Sequence, residues 1–177
     1  MSWTQAVLDF WFGLPPERHW RRDPVLDAEI ASKFGRLWQD QQKQAADSFL
    51  QSADAALGAI ILFDQFPRNM FRDDRRAFST DRLARAIASG AVDRGHDRQV
   101  PGARRHFFYM PFQHSESLAD QERSLALFEE LGDDYQLGFA RKHRDVIARF
   151  GRFPHRNAVL GRANSEAEEA FGLEPAW

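Results

Sequence analysis

The chain has 177 residues, no cysteine and a formal net charge of −2, which excludes disulfides, thiolate metal sites and cysteine nucleophiles. Its longest apolar run, Leu57 to Phe63, falls far short of the roughly 20 residues of a membrane helix. No basic flank or small-residue cleavage site marks the N-terminus as a signal peptide, so a cytoplasmic location without membrane attachment is expected.

Val, Ile and Thr together number only thirteen, too few to furnish the half-buried surfaces of a sheet. Ala, Leu, Arg, Glu, Asp and Phe recur instead at helical spacing. The expected fold is all-α, a single domain over 1–177, since no linker or low-complexity tract interrupts the chain. Ser2 and Gln5 form a capping-box pattern before a helix carrying Trp3, Val7, Phe10 and Trp11, ended by Gly13 and Pro15-Pro16. Asp23-Pro24 starts a second helix with Ile30, Phe34, Leu37 and Trp38 on its buried stripe. Trp3, Trp11, Trp20 and Trp38 are read as packing anchors.

A third, central helix is expected from about Ala53 to Phe66, stopped by Pro67, with Asp64 partnered by Arg68 because an acid opposes the dipole at a helix C-terminus. Ser79-Thr80-Asp81 caps a fourth, with Leu83, Ile87 and Val92 facing inward and Gly95 ending it. A short helix then breaks at Pro111, and a longer one runs from a Ser117 cap to Gly132. The next, from Asp134 to Phe150, places Tyr135, Phe139, Val146, Ile147 and Phe150 on one face and ends at Gly151. Ser165 and Glu168 form a capping box for a last turn burying Phe171.

Charge is unevenly placed. From Arg141 to Arg162 there are seven Lys or Arg and one acid, while Glu116 to Asp134 carries seven acids and one Arg. Attraction between adjacent antiparallel helices accounts for both. Two stretches echo each other: Ile60 to Arg72 and His143 to Arg162 each place Phe-Pro and an Arg-Asn pair after an apolar helix.

The stretches DQFPRNMFR, AFSTD, FFYMPFQHSE, ADQERS and HRDVIARFGRFPHRNAVLGR together resemble the bacterial "domain of unknown function 924" family, over Val7 to Phe171. Where that family tends to read acid-or-small, Ser, Thr after Arg162, this chain has Ala163-Asn164-Ser165. The resemblance implies stacked helical hairpins of tetratricopeptide-like form and implies no activity. No 34-residue repeat stands out in the chain itself.

Asp64, His114, Glu116, His143, Asp145 and His155 have the chemistry for acid–base or metal work. They lack H-E-x-x-H or Glu-x-x-His spacing, so no metal or other cofactor is expected. His143-Arg-Asp145 resembles the start of a kinase catalytic loop, but Phe150 stands where that loop needs Asn. Ser115, beside His114, lacks a nucleophile elbow and reads as a cap.

Arg68, Arg72, Arg149, Arg152, Arg156 and Arg162 suit carboxylate or phosphate recognition. Equally, they suit internal pairing with Asp64, Asp145, Glu116 and Asp120. Nucleic acid is disfavoured by a pI of about 6.3 and by the acidic segment.

The expectation is a binding protein, for a peptide, a protein partner or a small anionic ligand. Its contacts would be Arg68, Asn69, Arg152, Arg156 and Asn157, with His114 and Glu116 beside them, in a groove walled by two Phe-Pro turns. The alternative is a hydrolase using His114, Glu116 or His143 with Asp64 or Asp145.

Overall fold

A computed structural model describes residues 2–172, which are helical with no strand among them. In chain order the α-helices are α1 (Trp3–Phe12), α2 (Pro24–Gln41), α3 (Ala53–Ile60), α4 (Phe66–Met70), α5 (Asp81–Asp93) and α6 (Gly102–Gln113), then α7 (Leu118–Leu131), α8 (Asp134–Phe150), α9 (Asn157–Leu160) and α10 (Glu166–Phe171). The chain forms two compact units, one ending at Pro111 and the other beginning at Phe112. No helix among the described residues is long and apolar enough to cross a membrane.

In the first unit α3 packs against α1 and α5, and α2 against α4. Local signals set several boundaries. Ser2 accepts from the Gln5 amide, although the Gln5 side chain bonds Asp9 rather than completing a capping box. Asp23 caps α2 through the amides of Val25 and Leu26, with Pro24 in the first turn. Every residue from Ala56 to Pro67 is buried, which makes this the central helix.

That helix does not stop at Pro67. A π-helical segment, Ile61–Gln65, joins α3 to α4, with the Phe66 amide reaching back to the Ile61 carbonyl. Pro67 then occupies the first turn of α4, where its missing N–H costs little. The expected Phe-Pro turn is therefore a helix start, and the wide π turn is what permits it. Pro111 also lies inside a helix, α6, which runs on to Gln113. Five neighbours of Pro111, namely Phe107, Phe108, Tyr109, Met110 and Phe112, are buried. Their burial outweighs the roughly 3 kcal/mol cost of an interior proline.

α5 buries Ala84, Ile87, Ala88 and Ala91, with Leu83 and Val92 only half-buried. Close approach explains the preference for small residues: a Cβ on Gly90 would come within 2.4 Å of Leu50. Trp11 and Trp38 are buried as anchors, Trp3 is half-buried, and Trp20 is 50% exposed, stacked parallel to Phe107.

In the second unit α7 and α8 form an antiparallel hairpin, closed at Gly132 in left-handed conformation. Their opposite charges meet: Arg144 pairs with Glu122 at 3.3 Å and Arg141 with Glu129 at 3.8 Å. α8 buries Leu137, Ala140, His143, Val146 and Ile147, and Gly151 terminates it. Tyr135 lies outside this face and is 72% exposed, and Phe171 is 41% exposed, meeting Phe150. Both stand near helix ends, where the apolar face outruns its cover. Gln121, fully buried, donates to the carbonyls of Gln113 and Ser115 and satisfies acceptors at the end of α6.

Candidate functional site

The first echoed stretch is a knot of ion pairs. Arg68 donates to both carboxylate oxygens of Asp81 at 2.9 and 3.0 Å, lies 3.4 Å from Asp64, and donates to the Asp64 carbonyl. Burial works against the Arg68 charge, but Asp81 and Asp64 outweigh it and hold the guanidinium protonated. Asp64 is fully buried and also accepts from Gln65. Asn69 and Arg72 both bond Asp27 of α2. This stretch thus ties α4 to α5 and to α2, and Asp64 has the partner its position requires.

The second echoed stretch has a frame of the same kind. Arg152 forks onto Glu168 at 2.7 and 2.8 Å and reaches the Ala163 carbonyl. Glu168 is buried and also completes the capping box with Ser165. The Arg152 fork first, then the Ser165 amide, hold the Glu168 carboxyl far below its ordinary range. Arg162 forks onto Glu116 at 2.7 and 2.9 Å and donates to Asn157 and to the Phe153 carbonyl. Glu116 accepts the Phe153 amide at 2.8 Å, and Asn157 donates to Asn164. Burial raises the Glu116 carboxyl, but the Arg162 fork and the Phe153 amide prevail and lower it.

Inside this frame the Phe153 ring is a hub. Arg156, only 7% exposed, stacks its guanidinium 4.5 Å from the ring centre. His143 meets the ring edge-on at 5.6 Å and His155 lies 5.5 Å away, while His114 is 6.4 Å from His143. Two imidazoles and a guanidinium thus surround the Phe153 ring, and a third imidazole, that of His114, stands beside His143.

The His143 tautomer follows from its partners. The Phe139 carbonyl lies 2.8 Å from Nδ1, and a carbonyl only accepts, so Nδ1 carries the proton and Nε2 the lone pair. The Gln113 side-chain amide lies 3.1 Å from the same Nδ1. Its oxygen, not its NH2, must face that N–H, and its NH2 turns to the position where an oxygen would meet no donor. Burial first, then the neighbouring His114, Arg156 and His155, push His143 down to about 3 against the pull of the Phe139 carbonyl. His143 is neutral at physiological pH.

Of the residues singled out from sequence, Glu116, His114, His143, Arg156 and Asn157 do belong to one neighbourhood, with Arg152 on its frame. Asp145 is exposed and paired with its neighbour Arg144. No cluster of three or more His, Asp or Glu among the described residues could hold a metal ion. Ser115 donates to Asp120 at 2.6 Å and accepts the Ser117 amide, a turn-fixing role. Sequence reasoning missed Gln113, the Arg152 fork on Glu168 and the central place of Phe153: the first two join residues distant in the chain, and the Phe153 ring carries no charge to signal it.

The family model described as "Bacterial protein of unknown function (DUF924)" matches residues 7–175. The solved structure of a protein of unknown function, ATU0120, from Agrobacterium tumefaciens is similar at 38% identity, with a TM-score of 0.90 and 95% of each chain covered. No curated protein matches the chain. With nearly its whole length matched by that model, and the fold shared with the Agrobacterium protein, the chain belongs to the DUF924 family of bacterial proteins.

Proposed function

We propose that the protein binds a small anionic ligand, a carboxylate or phosphate, against His114, His155 and Arg156 of the second unit. What carries this reading is the crowding of imidazoles and guanidinium about Phe153. Arg156 and, when protonated, His114 and His155 each oppose a proton on His143, and such charges gathered at buried and half-buried positions cost free energy that an anion would return. Glu116 supplies one negative charge nearby, engaged at both oxygens by Arg162 and acted on by Arg156 as well. His114 and His155 are half-buried, so the cluster is reachable from solvent. Arg68, Asn69, Arg152 and Asn157 then act as frame, their polar atoms held by Asp81, Asp27, Glu168 and Asn164. The setting is the cytoplasm, which a cysteine-free chain suits.

Inorganic phosphate and succinate are the probes, with chloride at matched ionic strength as control. Binding raises the pKa values of His114 and His155, followed by ring proton resonances, and raises the melting temperature. His155→Gln, at a half-buried position, weakens binding about fivefold and leaves the fold intact. Histidine titrations identical in phosphate, succinate and chloride would refute the reading.

A further inference from the structure

The first unit holds a cavity of about 330 Å³ where the start of α1, the end of α2 and the approach to α3 meet. Trp3, Phe49, Gln41, Gln44, Gln51 and Ser48 dominate its lining, and among the described residues no charged side chain contributes to it. In a chain with 28% charged residues, that composition points away from an ionic ligand. Each glutamine amide offers two donors and an acceptor, the match for hydroxyl groups that both donate and accept. Gln51 is held to the Ser48 carbonyl, while the side-chain amides of Gln41 and Gln44 make no hydrogen bond among the described residues.

The aromatic wall is set in advance. Phe49, buried, meets Trp3 edge-to-face at 6.0 Å and 84°, which fixes the indole plane while Trp3 stays half-exposed. Behind it α1 is pressed onto α3: a Cβ on Gly58 would lie 3.1 Å from Thr4 Cβ. A preformed wall of this kind loses little ordering entropy on binding. An indole face accepts the C–H face of a saturated ring, and amides around it reach the ring's hydroxyls. The volume lies at the lower end of small-molecule sites, sized for one ring rather than an extended strand.

We infer that this cavity is a binding site for a neutral, ring-shaped polyol, a single pyranose unit. This inference is independent of the anion site.

The test titrates the full chain with methyl glucoside, mannoside and galactoside, following the Trp3 indole N–H resonance and the heat of binding. Gluconate, glycerol and a blocked neutral dipeptide are controls. At least one pyranoside should shift the Trp3 signal saturably at millimolar concentration. Gln44→Ala, an exposed position, should weaken it about fivefold without moving the melting temperature. The inference is overturned if no pyranoside saturates, if gluconate or the dipeptide binds as well, or if Gln44→Ala leaves the affinity unchanged. Phosphate should leave the Trp3 signal in place, which keeps failure of this site distinct from failure of the other.

Discussion

Thr80 donates its hydroxyl to the carbonyl of Phe63 at 2.7 Å, the acceptor that residue 67 would serve in a regular helix if it were not proline. The Thr80 hydroxyl oxygen in turn accepts the indole N–H of Trp38 at 3.2 Å. One buried hydroxyl thus links α2, the central helix and the start of α5. Thr80→Val keeps the shape and removes both bonds, so it should lower stability by about 2 kcal/mol. Thr80→Ser should retain most of it. Denaturant unfolding of the two variants checks this.

Arg68→Ala should be more damaging than the loss of a surface ion pair. It leaves Asp64, fully buried, without its guanidinium, a change costing about 3 kcal/mol or more. Adding Asp64→Asn should recover part of that loss, because the stranded charge is then gone. A double-mutant cycle on unfolding free energy measures the recovery.

Acid should weaken the fold in a defined window. His143 is held near 3 in the folded state against 6.5 when free, so below pH 6.5 the unfolded chain binds the extra proton and stability falls with pH. The slope approaches about 1.4 kcal/mol per pH unit, amounting to about 2 kcal/mol at pH 5. Glu168 and Glu116 have lowered values, so their stabilisation is lost only further down, as pH falls below the ordinary carboxylate range. His143→Gln should make the curve shallower between pH 6.5 and 5, leaving the part that His19, also lowered by burial, contributes, and should leave the lower limb in place.

Glu168→Gln should lower the melting temperature and speed amide exchange from Arg152 to Glu168. The carboxylate there takes the Arg152 fork and the Ser165 amide together, and a neutral amide cannot accept all of them. Arg152→Lys should show a smaller loss, since an ammonium keeps the charge but not the fork.

Local signals were the legible part of the fold. Caps at Asp23 and Ser165, and stops at Gly132 and Gly151, involve residues within a few positions of one another, and the structure uses them as read. Prolines misled because their effect depends on what surrounds them: Pro67 was rescued by a π turn and Pro111 by a buried aromatic run. Periodicity put Tyr135 on an apolar face, yet helical spacing says nothing of where cover ends. For the candidate site, residue type suggested that arginines would either pair or bind. Only the fold tells them apart: Arg68 lies on Asp81, thirteen residues away, and Arg162 on Glu116, forty-six away. The ring of Phe153, about which His143, His155 and Arg156 gather, carries no charge and so gave no signal.

The π segment at Ile61–Gln65 also sets an angular phase. An α-helix turns 100° per residue, so one extra residue within a turn rotates everything beyond it by that amount. Arg68 and Asn69 meet Asp81 and Asp27 at the azimuth this insertion gives them. A chain shortened by one residue between Ile61 and Gln65 would lose the π turn, with Pro67 then pressed against the preceding turn. Arg68 would then face away from Asp81, and the ion-pair knot would be lost with no charged residue altered.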